Sequence, residues 1–292
     1  GALENFKITS SGAFSGTLWI DGVRIAVAGA FDSGGRATLS LPLPNQAAPA
    51  LLELELRRLD DTTDGFEIAG TIRVEDTPHA ISAQRLPPHS LAARSPHEGA
   101  YTLAVLAPDS ADPAAEPAGD GYAALRVSHL GLCTGALVLA DGTKTTFAGH
   151  VARDGRWSLH RSLYGGAGRG YLAGALTFRH VAGSGDTDGA WTWRKLPNAT
   201  PKSPHHATGF TTTRAVVGSR YQAPAAGASA WPELAAGWYN AWWRITESTG
   251  APVQLADLDR AVTWHSTNRV QYFGIDTLKI SVNAATGVVT GT

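Results

Sequence analysis

Residue types able to do chemistry are sparse in this chain and poorly clustered. Cys133 is the sole cysteine, so it is the one thiol nucleophile on offer and has no partner for an internal disulfide. It sits in the phrase Gly131-Leu-Cys-Thr-Gly135, and the sister phrases place Phe14 and Val289 at the same point. A position that takes Cys, Phe or Val asks for an apolar side chain, which makes Cys133 a buried core residue rather than a nucleophile. No Gly-x-Ser-x-Gly elbow and no His-Glu-x-x-His zinc motif occurs. The ten histidines are scattered. His205 and His206 are adjacent, and neighbours on a strand face opposite ways. His150 and His160 stand where an earlier copy of the same phrase has Ala30 and Ser40, so no zinc site is expected. The glycine-rich run Gly165-Gly-Ala-Gly-Arg-Gly170 fits no phosphate loop and lacks its lysine, so it reads as a turn. Asp186-Thr-Asp-Gly189, Asp60-Asp61 and Asp64-Gly65 resemble the start of a calcium loop without its terminal carboxylate and read as turn formers. Asn198-Ala-Thr200 is a glycosylation sequon, read as silent. No metal and no cofactor is expected, and no enzyme.

Tryptophan offers a second kind of chemistry, stacking on flat ligands. Five of the nine tryptophans fall in residues 222–275. In a strand, Trp238-Tyr-Asn-Ala-Trp-Trp243 would set Trp238, Asn240 and Trp242 on one face and Tyr239 and Trp243 on the other. With Trp264, exposed rings beside an amide would suit sugar binding. The opposing reading is core filler, since Trp191 and Trp193 replace Ile81 and Ala83 in a matched segment. Core filler is preferred.

These residues are carried by a repeated pattern. Gly12-Ala-Phe-Ser-Gly16, Gly131-Leu-Cys-Thr-Gly135 and Gly287-Val-Val-Thr-Gly291 are variants of one phrase. The first two continue in parallel: Leu18 and Ile20 with Leu137 and Leu139, Asp21-Gly22 with Asp141-Gly142, Gly29 with Gly149, Gly35-Arg36 with Gly155-Arg156, Leu39 with Leu159. Further on, Ile68-Ala-Gly70-Thr-Ile72 matches Leu172-Ala-Gly174-Ala-Leu176, and Ala80–Pro87 matches Ala190–Pro197. Apolar residues alternate between turn signals, which predicts short strands with one buried face. Asp-Gly pairs mark hairpins, and Leu52, Leu54 and Leu56 favour a strand over a helix at Glu53–Leu59. The expected fold class is therefore all-β, with two tandem, internally repeated antiparallel barrel or sandwich domains and a partial third unit.

The expected boundaries are a first unit at 1–87, a linker at 88–98, a second unit at 99–197 and a partial third at 198–292 that carries the tryptophan-rich insertion 222–275. The Ala/Pro/Asp stretch Pro108–Asp120 is expected to be a mobile loop. A strand-like stretch, Gly99–Leu106, opens the second unit, and Gly209–Val217 resembles it; the first unit has no counterpart. The third unit stops as its second strand begins. Without a methionine, Gly1 reads as a processing point or the edge of a longer protein. Truncation of a longer protein is the preferred reading of that break; the competing one has the final strands, with Leu278, Ile280, Val282, Val288 and Thr290 as candidate assembly residues, complete the first unit in the same or a neighbouring chain.

Charge excludes one partner class. With 24 basic and 25 acidic residues and a net charge of −1, no nucleic-acid surface is expected, and no apolar run is long enough for a membrane-spanning helix. The Gly-x-x-Ser/Thr-Gly phrase, the Asp-Gly turns, Val282-Asn-Ala-Ala-Thr-Gly-Val-Val-Thr-Gly-Thr292 and Val216-Val-Gly-Ser-Arg-Tyr221 resemble the β-rich repeat modules of large secreted bacterial surface proteins. That resemblance implies an extracellular or cell-surface location and a scaffolding or adhesive role. The expected function is a non-enzymatic surface-layer, stalk, filament or adhesin subunit, partnered by itself or by neighbouring domains. The alternative is a carbohydrate-binding module using the tryptophan-rich insertion, with a glycan as partner.

Overall fold

The computed structural model describes residues 2–44, 46, 48–59, 65–166, 168–179, 185–197, 206–234, 236–245, 258–275 and 277–291. Every regular element among them is a β-strand, and all pairings are antiparallel. The sequences Asp60-Asp61, Asp64 and Asn198-Ala-Thr200, with His205, lie outside the described residues.

The first region forms two sheets around one core. β1 (Ala2–Ile8), β2 (Ala13–Ile20) and β3 (Val23–Ala30) make one; β4 (Arg36–Leu41), β5 (Ala50–Arg58), β6 (Phe66–Val74) and β7 (Thr77–Gln84) make the other. The core draws Phe14, Leu18 and Val27 from the first sheet and Leu52, Leu54 and Ile72 from the second. Leu52 is wholly buried, so the alternating leucines do face one way as a strand. Burying each such side chain is worth about 1.5–3 kcal/mol.

The second region is a single nearly closed sheet of eight strands. These are β8 (Gly99–Leu106), β9 (Gly121–Val127), β10 (Leu132–Val138), β11 (Lys144–His150), β12 (Arg156–Ser162), β13 (Gly170–Phe178), β14 (Thr187–Lys195) and β15 (Phe210–Tyr221), in the order β11-β10-β9-β8-β15-β14-β13-β12. β8 bridges the two halves through ladders to β9 and β15. The sheet thus extends past the boundary expected at 197. Its interior holds Trp157, Trp191 and Trp193, none more than 1% exposed.

Backbone hydrogen bonds recur between the two regions. Gly12 N donates to Thr9 O and Gly131 N to Ser128 O; Phe31 N donates to Gly12 O and Val151 N to Gly131 O; Leu56 N donates to Gly35 O and Phe178 N to Gly155 O, all at 2.8–3.0 Å. These bonds align β1–β7 with β9–β15 in order. The later sequence matches fall on different strands. Leu54 pairs with Gly70 as Leu176 pairs with Gly189, so Gly70 takes the place of Gly189 rather than Gly174. β7 correspondingly takes the place of β15, not β14. A Cβ on Gly70 would collide with the Glu53 carbonyl, and one on Gly189 with the Ala175 carbonyl, so both glycines answer the same close approach.

The segments between are fastened. In the expected linker, Ser95 is buried and its N–H donates to His129 O at 2.8 Å. The stretch expected to be a mobile loop caps the barrel instead: Ala107 N donates to Asp120 Oδ1 at 2.7 Å, and Glu116 Oε2 lies 3.2 Å from Arg214 Nη2. Arg214 is 1% exposed and also donates to the Pro117 carbonyl. A buried guanidinium needs such partners, and Arg214 gave no local sign of lying inside a barrel.

The last region holds β16 (Ala241–Ile245), β17 (Leu258–Trp264) and β18 (Val270–Gln271) in one sheet, and β19 (Ile280–Asn283) with β20 (Val288–Gly291) in a hairpin.

Candidate functional site

The feature that most distinguishes the first region from the second is an open seam. Seven strands in an up-and-down chain leave the first and the last running in the same direction, so β1 and β7 cannot form an antiparallel ladder with each other. In the barrel, β8 runs antiparallel to both β9 and β15 and bridges them, and the sheet's two ends are β11 and β12. In the first region nothing takes that place: β1 and β7 belong to different sheets and share no ladder among the described residues, although they come within 8 Å at the Cα level.

Burial records the difference. On β9 the inward residues Ala123, Leu125 and Val127 are 4% exposed or less. On β1, Leu3 and Phe6 are half-buried and Ile8 is 39% exposed. On β15, Arg214 and Val216 are buried, whereas their counterparts on β7, His79 and Ile81, are exposed and half-buried. None of these residues marked the seam in the sequence.

The candidate assembly strands do not fill the seam in the same chain. β19 pairs with β20, and the hairpin docks on the end of β15, where Tyr221 Oη donates to Ala284 O at 2.6 Å. β15 is held in the barrel, so Tyr221, on which the hairpin docks, belongs to the second region. Leu278, Ile280 and Val282 are half-buried along one face, although Leu278 lies before the strand. Val282 sits opposite Val289, while Val288 and Thr290 lie opposite Asn283 and Ser281 on the other face. The five residues therefore form two groups rather than one surface.

The tryptophan group also divides. Trp238 and Trp242 are 68% and 67% exposed, so these two rings are not the core filler expected of them. Trp238 packs against Phe273, with ring centroids 5.1 Å apart. Asn240 turns inward: its Nδ2 donates to Trp264 O at 3.0 Å, and its Oδ1 accepts from Trp264 N at 2.8 Å. That amide clamps β17 and has left the expected platform. Trp243 lies half-buried over the backbone of Gly291, and Trp264 is half-buried edge-on to Trp231. Phe273, which sequence did not single out, joins the exposed group.

The remaining candidates are structural. Cys133 is fully buried, and burial pushes its thiol up to about 12, so no thiolate forms near neutral pH. Asp186 accepts Arg220 N at 2.6 Å and Asp188 pairs with Arg179 at 2.6 Å. Among the described residues no cluster of three His, Cys, Asp or Glu is placed to hold a metal, and no helix is long and apolar enough to cross a membrane. No family model, curated protein or solved structure matches this chain.

Proposed function

We propose that this protein is a non-enzymatic structural subunit of an extracellular or cell-surface assembly, joined to its neighbours by β-strand pairing. The observation that carries this reading is the open seam of the first region beside a barrel whose matching seam is closed. Unpaired strand edges present rows of backbone donors and acceptors to another chain. The resemblance of the turn phrases to those of bacterial surface modules supports the location. Sedimentation and electron microscopy across a wide concentration range test the reading. Concentration-dependent oligomers or fibres are expected, and Ser82→Pro, at an exposed site on β7, weakens them by removing an edge N–H. A well-folded particle that stays monomeric at every concentration overturns self-assembly.

A second reading rests on the exposed rings of Trp238 and Trp242 with Phe273. Flat, solvent-facing aromatics suit stacking on sugar rings. A glycan array tests it: binding that is lost in Trp242→Ala supports a carbohydrate module, and an array without binding removes it.

A further inference from the structure

The outer face of β16 and β17 carries more than a bare ring. Trp242 pairs across the ladder with Ala261, and the next rung on the same face joins Arg244 to Asp259. Ala261 is small, so the indole stands clear on that side, and among the described residues no other ring stacks on it. Trp238, by contrast, leans on Phe273. The polar rung is tightly made: Arg244 donates from Nε at 3.1 Å and from Nη2 at 2.6 Å, both to Asp259 Oδ2. Asp259 Oδ1 is shielded from solvent and has no hydrogen-bond partner among the described residues. A shielded acceptor without a donor costs stability, so the rung holds an oxygen that an arriving donor would satisfy.

We infer that Trp242, Arg244 and Asp259 form a binding site for an uncharged hexopyranose unit of a glycan. This rests on the carbohydrate reading above and names its ligand class. The apolar face of the sugar ring lies on the indole. Two residues along a strand advance about 7 Å, which places hydroxyls at the sugar's rim over the Arg244–Asp259 rung. A hydroxyl both donates and accepts, so it serves Asp259 Oδ1 and the guanidinium together. A carboxylate or sulfate group only accepts. It would meet the Asp259 charge, and the Arg244 cation is already paired. Charge complementarity therefore favours neutral sugars over uronic or sulfated ones.

The test is affinity electrophoresis of the full chain in gels that hold dextran, mannan or galactan as neutral probes and alginate as the acidic one. At least one neutral polymer is expected to retard the parent, and alginate is not. Trp242→Ala abolishes the retardation. Asp259→Ala weakens it on the order of tenfold and, by freeing the Arg244 cation, gains affinity for alginate, whereas a merely structural lesion weakens every probe alike. Arg244→Gln, at an exposed side chain, weakens neutral binding without that gain, so a folding defect at Asp259 does not decide the outcome. Alginate that retards the parent as strongly as any neutral polymer overturns the hydroxyl site and leaves the carbohydrate reading standing. So does neutral binding that needs Trp242 but is indifferent to both rung variants. A parent that no polymer retards, or retardation that survives Trp242→Ala, overturns both.

Discussion

The imidazole of His160 lies flat against the indole of Trp19, with ring centroids 4.4 Å apart and planes 19° from parallel. Trp19 belongs to β2 and His160 to β12, so the stack joins the first region to the barrel. Tyr171 also stacks with the imidazole, at 5.6 Å between ring centroids. The same contact carries Asp21, whose carboxylate meets Tyr171 Oη at 3.3 Å and Arg194 at 3.7 Å. Trp19 is itself steered by donating from Nε1 to Glu4 at 2.9 Å.

This stack predicts an acid-sensitive junction. Burial, helped by the nearby cation of Arg161, lowers the His160 pKa from 6.5 to about 4. The folded protein therefore binds fewer protons at this site than the unfolded chain as pH falls below 6.5, and stability declines until pH reaches about 4. His160→Gln cannot titrate, while the carboxylates remain common to both proteins. Urea midpoints measured from pH 7.5 to 4 are expected to fall more steeply for the parent than for the variant, and parallel curves would refute the assignment.

The cap of the barrel predicts a second effect. Glu116 compensates part of the buried Arg214 charge, and the Arg214 group stands 5.7 Å over the Trp193 ring. Burial lowers the Arg214 pKa while Glu116 and Asp120 oppose it. Glu116→Ala leaves the guanidinium short of its partner and is expected to cost about 1–3 kcal/mol. Denaturant titration reads the loss, and limited proteolysis is expected to cut within 108–120 faster in the variant than in the parent.

Close approach at matched glycines makes a third prediction. Gly70→Ala and Gly189→Ala each force a methyl group into a neighbouring strand's carbonyl. Each is expected to destabilise by about 1–3 kcal/mol. Thermal unfolding that shows a cost at Gly70 but none at Gly189 would contradict their equivalence.

The tryptophan-rich region separates exposure from support. Trp238→Ala and Trp242→Ala remove exposed rings and should change stability by only about 0.5 kcal/mol. Asn240→Ala removes both bonds to the Trp264 backbone and should cost more, about 1–3 kcal/mol locally. Hydrogen exchange at the amides of β16 and β17 is the measurement: it rises in the asparagine variant and stays level in the tryptophan variants.

What the sequence determined by itself was local. Alternation at Leu52, Leu54 and Leu56 made a strand because period two puts all three on one face, and Gly12 with Gly131 marked the same turn because its backbone bonds close within a few residues. The later matches slipped by a strand for a physical reason. Ile-Ala-Gly-Thr-Ile and Leu-Ala-Gly-Ala-Leu describe any strand that passes a neighbour closely, and only the ladder joining Leu54 to Gly70 and Leu176 to Gly189 says which neighbour it is. The tertiary structure alone decided that β15 turns back into the barrel, that Asn240 points inward and that Arg214 is buried beneath Glu116. Those outcomes depend on residues distant in the chain, whose contacts exist only once the sheets have curled around their cores.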